Sequence, residues 1–518
     1  MVIDPEVLKT FDQDPSLLTE LRRGIEKESL RVTRDGALSL QPHPSALGSA
    51  LTHPHITTDF SEAQLELITD VHDTTTACIE QLENVHRFVY QHIDDELLWT
   101  TSMPCNLGNR SEIPIGQYGT SNIATAKTIY RRGLGNRYGR LMQTISGIHY
   151  NFSVPDEFWP LLAKSRRVTA DAAFQTAAYF GLIRNFRRYS WLLIYLFGAS
   201  PALCKSFVKD QPHGLENFDA RSLYLPNATS LRMGRLGYQS EAQSALHISY
   251  NSLEEYMASM MGALTQSYPP YEALGVKVAG EYQQLNTALL QIENEFYGTI
   301  RPKRPIRTGE RPLTALRDRG VEYVEVRCLD LNPFLPVGID SQQARFIDVF
   351  LLYCLMAPSP NDSKRESASM GRNQLAVVEE GRKPGLELNS AAGPVGLQDW
   401  ASVLMDMLQP LVAMLDAAHG CDDYSDTWEE QRRKIADPAL TPSARVLEIM
   451  KRQQIPFFHF AMNQSIAHKG YFDEHPLRGS KLEKFRVLAD ESLARQLQTE
   501  RDDVVDFESF LKNYLAFK

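Results

Sequence analysis

Residues 24–32 read GIEKESLRV. In an extended strand alternate side chains share a face, so Glu26 and Glu28 stand together. Two further stretches repeat the pattern. SGIHYNFSV at 146–154 sets His149 beside Asn151, with Ile148, Tyr150 and Phe152 on the other face. VEYVEVRCLDL at 321–331 sets Glu325 beside Arg327, with Val324, Val326 and Cys328 opposite. Each stretch presents a polar pair from an apolar alternation, as expected of a sheet face that lines a wet cleft. Clustered carboxylates with one imidazole suit a hard divalent cation, which takes oxygen ligands and tolerates a histidine. ITTDFSEAQLELIT at 56–69 adds more carboxylates, in one of two geometries. A helix would align Asp59, Glu62 and Glu66; a strand would align Glu62, Gln64 and Glu66.

Around these strands the chain alternates between helical and extended patterns without a βαβ rhythm, which predicts an α+β fold. Apolar residues at spacings of three and four predict a helix over 76–97. Residues 171–197 and 253–267 read as helices too, the first largely buried. Thr441 followed by Pro442 predicts a helix start, a hydroxyl cap and then proline at the first helical position. The last thirty residues read as a charged helical tail. No internal repeat or low-complexity tract divides the chain, so residues 1–518 are read as one unit. The Pro-rich patches at 301–312 and 357–364 are read as loops.

Composition narrows the function. With 54 basic against 64 acidic residues the net charge is −10, which argues against a nucleic-acid partner held by bulk positive charge. The longest strongly apolar run, near Trp191–Phe197, falls short of the ~20 residues that span a bilayer. The start, MVIDPEVLKTFDQDP, has acidic residues and no apolar signal core, so a cytoplasmic protein without membrane contact is expected. The six cysteines form no CxxC pair and are read as small buried hydrophobes. No P-loop and no GxSxG is present, and Gly133-Leu134-Gly135 with Gly139 misses the dinucleotide spacing. A nucleotide would therefore need metal ions and arginines for its phosphates. Arg301, Lys303, Arg304 and Arg307 in RPKRPIR are candidates.

Longer stretches carry a resemblance. They include ALGSALTHPHITTDFSEAQLELIT at 46–69, NRYGRLMQTISGIHYNFSVP at 136–155, YLPNATSLRMGRLGY at 224–238, LQIENEFYGTIRPKR at 290–304 and EYVEVRCLDLNPF at 322–334. In these the chain resembles the glutamate–cysteine ligases (γ-glutamylcysteine synthetases) of the proteobacterial type, from residue 24 to about 386. Residues 387–518 support only helical expectations. The resemblance implies a glutamine synthetase-like antiparallel sheet forming an active-site funnel, surrounded by helices. It also implies a reaction in which ATP phosphorylates the γ-carboxylate of L-glutamate and the amine of L-cysteine attacks, the first step of glutathione synthesis.

The same resemblance implies roles residue by residue. Glu26, Glu28, Asp59, Glu66, His149 and Glu325 would hold two or three Mg2+ ions, Mn2+ being the alternative, and Glu62 is a further candidate. Arg232 would clamp the glutamate carboxylate or the phosphoryl group. Arg327 would stabilise the transition state against the phosphates, with Arg304 also on the nucleotide. Asn151 would orient glutamate. Tyr130, Tyr238 and Tyr297 would receive the cysteine acceptor, with Phe60, Leu134, Gln143 and Arg131 nearby. Cys105 and Cys328 are read as packing residues, because the chemistry needs no enzyme thiol. A single-chain enzyme inhibited by glutathione is expected. The rivals are a γ-glutamyl ligase using another amine and a non-catalytic binder of ATP and amino acids.

Overall fold

The computed structural model describes residues 1–209, 212–237, 241–244, 246–307 and 310–516. Its centre is a seven-stranded sheet. The strands are β1 (Arg22–Val32), β2 (Ile56–Thr58), β3 (Gln64–Ile68), β4 (Leu97–Leu98), β5 (Ile148–Ser153), β6 (Ile300–Lys303) and β7 (Tyr323–Leu329). Their order is β6-β7-β5-β1-β3-β2, with β4 on the far end of β1. All of these pairings are antiparallel. The long β1 is the spine, pairing with β5 on one side and β3 on the other.

The helices that matter here are α1 (Thr75–Tyr90), α2 (Asn122–Tyr138), α3 (Ala172–Tyr189), α4 (Trp191–Phe197), α5 (Ser341–Met356), α6 (Leu397–His419), α7 (Asp423–Ala436), α8 (Gly479–Arg501) and α9 (Phe507–Leu515). The back of the sheet buries Ile25, Leu65, Leu67, Tyr150, Phe152, Val324 and Val326 in one core with α1, α3, α4 and α5. Hydrophobic burial on that face fixes the strand register, because a slip of one residue would send the apolar set forward and the charged set into the core. Cys328 lies in the same core, on the face expected for it.

Local signals account for most element ends. Thr441 caps the helix Pro442–Gln453, accepting the Ala444 N–H at 3.4 Å. Ser121 caps α2, which ends at Gly139 with φ 84°. The helix expected over 76–97 is shorter, stopping at Tyr90. Asp94 takes a left-handed φ of 49°, which a continuing helix excludes, and Leu97 opens β4. Ile93 and Leu97 are buried nonetheless, so apolar spacing reported burial beyond the helix itself.

Two expectations need correction. Cys105 and Cys204 are joined in a disulfide, their Cα atoms 5.6 Å apart across 99 residues of sequence. Only the folded chain brings them within bonding distance, so reading each as a packing residue missed the link. Second, α6 is a longer apolar stretch than Trp191–Phe197. By length and composition it alone among the described residues passes the test for a membrane-crossing helix. Half of its apolar window is buried, and α7 packs along it.

Candidate active site

The front of the sheet carries the charged set. Glu26 faces His149 across β1 and β5, Glu28 faces Glu66 across β1 and β3, and Glu325 faces Asn151 across β7 and β5. Extended geometry at 64–68 resolves the earlier ambiguity. Glu66 points into the site, while Glu62 is tied down, accepting the N–H groups of His43 at 2.9 Å and Gln117 at 2.7 Å. Among the described residues, ligand atoms gather into two groups that share one imidazole: Glu26, His149 and Glu325, and Glu28, Glu66 and His149. His149 Nδ1 lies 3.2 Å from Glu26 and 3.7 Å from Glu325, and its Nε2 lies 3.6 Å from Glu28. Asp59, in the turn between β2 and β3, lines the same space.

This donor set fits a divalent cation. It is rich in carboxylate oxygen, and His149 Nε2 is buried without a hydrogen-bond partner. Its electrostatics point the same way. Burial and then the charges of Glu26, Asp59 and Glu28 push the Glu66 carboxyl well above its ordinary value. Burial and Asp59 push Glu28 up to about 8 against the opposing pull of Arg232, Arg327 and the Gly147 N–H. Burial raises Glu325 as well, but Lys303, Arg327, His149 and Arg301 together outweigh it and hold that group well below its ordinary value. One half of the cluster is thus neutralised by protein cations and the other half is short of positive charge.

The surrounding cleft has a volume of about 840 Å³. Strand β6 supplies Arg301 and Lys303, and Lys303 Nζ lies 3.3 Å from Glu325. Arg327 sits where the β7 register shifts, its Nη1 3.2 Å from Glu325 and 3.4 Å from His149 Nδ1. Arg304 lines the cleft and pairs with Glu322 at 3.3 Å. Helix α2 presents Lys127, Tyr130, Arg131 and Leu134 on one face, and Phe60, Gln143 and Tyr297 line the same cleft. Gln143 donates to the Tyr297 hydroxyl at 2.8 Å. Arg131 lies over the Tyr118 ring at 4.5 Å and donates to the Asp59 carbonyl.

Two expected residues stand one layer back. Arg232 is fully buried, donates to the Arg327 carbonyl at 3.0 Å and lies 3.9 Å from Asp330. A Cβ at Gly147 would run into its guanidinium, so glycine is what lets it approach β5. Asn151 donates to Glu26 at 2.9 Å and steadies that carboxylate. Tyr238 lies outside the described residues.

A sequence-family model described as glutamate-cysteine ligase matches residues 8–377. The chain belongs to the glutamate–cysteine ligase family. It is 52% identical over 501 residues to the glutamate–cysteine ligase of Pseudomonas paraeruginosa, covering 96% of this chain and 95% of that one. It is 50% identical over 507 residues to the glutamate–cysteine ligase of Alcanivorax borkumensis, covering 96% of each. The crystal structure of the Francisella tularensis glutamate–cysteine ligase in complex with AMP superposes with a TM-score of 0.90 at 37% identity, covering 96% and 97% of the two chains. A bifunctional glutathione synthetase from Pasteurella multocida shares the fold, with a TM-score of 0.72 at 24% identity, covering 94% of this chain and 58% of that one.

Sequence reasoning passed over several charged groups of this family member's cleft: Lys127, Glu293, Glu295 and Glu310. Lys127 stands 5.2 Å over the Tyr118 ring, and its ammonium is pushed down to about 8 by burial and then Arg131, against Glu66. Its signal was in the sequence. Lys127, Tyr130, Arg131 and Leu134 recur at helical spacing, but nothing local says which face of that helix meets the cleft.

Proposed function

We propose that this cleft joins the γ-carboxylate of L-glutamate to the amine of L-cysteine with cleavage of ATP, giving γ-glutamylcysteine, ADP and phosphate, the first step towards glutathione. The observation that carries the reading is the shared-histidine acidic cluster, bordered by Lys303, Arg304 and Arg327 on one side and by Tyr130, Gln143 and Tyr297 on the other. Anions meet cations on the first side, and an amino acid with a small side chain fits the second.

Glu26, Glu325 and His149 would hold one Mg2+, and Glu28 and Glu66 another, with Asp59 beside them. Ions held there would supply the positive charge that phosphoryl transfer between two anions requires. The chain's own residues do the rest. A γ-carboxylate oxygen of glutamate bonds to the terminal phosphorus of ATP, and ADP leaves. Arg327, beside Glu325 and His149, lies where negative charge gathers on the transferring group and stabilises it. Arg232, holding the Arg327 carbonyl, positions that arginine at the irregularity in β7. Arg304 meets the nucleotide phosphates. The cysteine nitrogen, having lost its ammonium proton, then attacks the acyl carbon, and phosphate leaves. Tyr130 and Tyr297 hold the acceptor with Arg131 on its carboxylate, and Phe60 and Leu134 receive its side chain. Positioning two reactants in one closed space provides much of the acceleration.

Glutathione carries both the γ-glutamyl and the cysteinyl groups and competes for the same space. A cytoplasmic site suits a consumer of ATP.

The test is ADP release by the purified protein with Mg-ATP and L-glutamate, with and without L-cysteine, together with the mass of the product. Cysteine-dependent ADP release with a γ-glutamylcysteine mass is expected. ADP release only with another amine would overturn the acceptor assignment. A folded protein that releases no ADP with any amine would be a binder.

A further inference from the structure

The C-terminal residues, about which the sequence says only that they are helical, reach the cleft. Leu511 of α9 is buried with Ala126 and Ile129 of α2 and with Leu285, and Tyr130 packs against this cluster. Tyr130 therefore has the cleft on one side and the C-terminal helix on the other. Tyr514 of the same helix lines the outer part of the cleft.

The segment between α8 and α9 also holds the start of α2. The Asp503 carboxylate accepts the Asn122 backbone N–H and, at 2.6 Å, its Nδ2. The Val505 carbonyl accepts from the same Nδ2 at 2.8 Å, and Glu500 accepts the Thr120 N–H at 2.9 Å. The Asp503 carboxylate meets an amide donor that the first turn of a helix leaves unpaired, and the negative charge of Asp503 and Glu500 sits at the positive end of the helix dipole. At the other end, the Leu515 carbonyl accepts from Arg311 at 3.1 Å, and Arg311 holds the cleft residue Glu293 at 2.6 Å.

We infer that residues 500–515 are a positioning element of the acceptor subsite: Asp503 and Leu511 set the place of α2 and, through it, of Tyr130. The inference rests on the assignment of Tyr130 to the acceptor. The cluster around Leu511 is separate from the large core behind the sheet, which supports Glu26, His149 and Glu325. Loosening it moves α2 and, of the metal-binding set, reaches only Asp59, whose carbonyl accepts from Arg131; the strand carboxylates Glu26, Glu28, Glu66 and Glu325 stay where they are. The effect therefore falls on one substrate, whereas general loss of structure would fall on all three.

The experiment uses full-length protein carrying Leu511→Ala, Asp503→Asn, Leu511→Met as the conservative variant, and Tyr130→Leu for comparison. Steady-state constants for cysteine, glutamate and Mg-ATP are measured with the thermal midpoint of each variant. In Leu511→Ala and Asp503→Asn the cysteine KM rises about tenfold while the Mg-ATP KM and kcat stay within about twofold, since a misplacement of about 1 Å is costly at the misplaced contact. Leu511→Met restores the cysteine KM. An unchanged cysteine KM in both variants while Tyr130→Leu raises it overturns the positioning role and leaves the acceptor assignment standing. An unchanged cysteine KM in all three overturns both. Equal changes in the constants of all three substrates reduce the segment to a structural brace and also overturn the inference.

Discussion

At the scale of single residues, the site depends on how charge is shared around His149. Glu325 is a carboxylate that protein cations, Lys303 and Arg327 first among them, already hold ionised. Glu325→Gln keeps the size and removes the charge, so turnover should fall by at least about 100-fold and the Mg2+ needed for half-activity should rise, with the fold retained. Kinetics across a Mg2+ titration, with circular dichroism as the control, check this; near-normal activity would remove Glu325 from the ligand set. Tyr297 offers a narrower test. Its hydroxyl accepts from Gln143, so Tyr297→Phe should raise the cysteine KM about three- to tenfold and the glutamate KM less. Equal effects on the two substrates would place Tyr297 outside the acceptor pocket. The alternation in 24–32, 146–154 and 321–331 made Glu26, Glu28, His149 and Glu325 legible beforehand, because a strand's period of two is a local property. That Arg232 is fully buried, one layer back from the cleft, was not legible, since depth depends on what packs in front of a side chain.

At the scale of elements, the cleft is a sheet face closed by a helix, and the join between them is a buried ionic knot. Arg137 and Glu295 are 2.9 Å apart with neither side chain exposed. The same carboxylate accepts from the Tyr138 hydroxyl at 2.7 Å and the Gln291 N–H at 2.7 Å. This ties α2 to the loop that carries Tyr297. Glu295→Ala would leave the Arg137 charge buried and unpaired, which costs about 3–5 kcal/mol. Urea unfolding checks it, and a loss below about 1 kcal/mol would mean that water or a neighbour replaces the carboxylate. The spacing of apolar residues announced α1, α3 and the helix Leu253–Thr265, and proline with threonine announced the start at Pro442. It overran α1 because burial continues past Tyr90 into β4, and apolar spacing reports burial first and helicity second.

At the scale of the whole molecule, long-range links hold distant parts of the chain together. A thiol titration in denaturant should find four reactive cysteines before reduction and six after, matching free Cys78, Cys328, Cys354 and Cys421 beside the Cys105–Cys204 pair. Six before reduction would show that the bond does not form. Acid sensitivity is also distributed. His468 is buried, and burial followed by the Lys27 charge pushes its imidazole down to about 4 from 6.5. Below pH 6.5 the unfolded chain binds a proton there that the folded chain refuses, so this stability is present above 6.5 and lost as pH falls towards 4. The stability of His468→Leu relative to the parent should therefore rise by roughly 1.4 kcal/mol per unit between pH 6.5 and 5. A constant difference across that window would mean the imidazole is accessible to protons. The sequence by itself determined the antiparallel α+β plan, the charged strand faces and the family, because periodicity and long matched stretches are written in local order. The tertiary structure alone decided which oxygens share His149, which face of α2 meets the cleft, that Cys105 meets Cys204, and that the last helix backs Tyr130. Each of these is a meeting of segments far apart in the chain, and only packing of the whole brings them together.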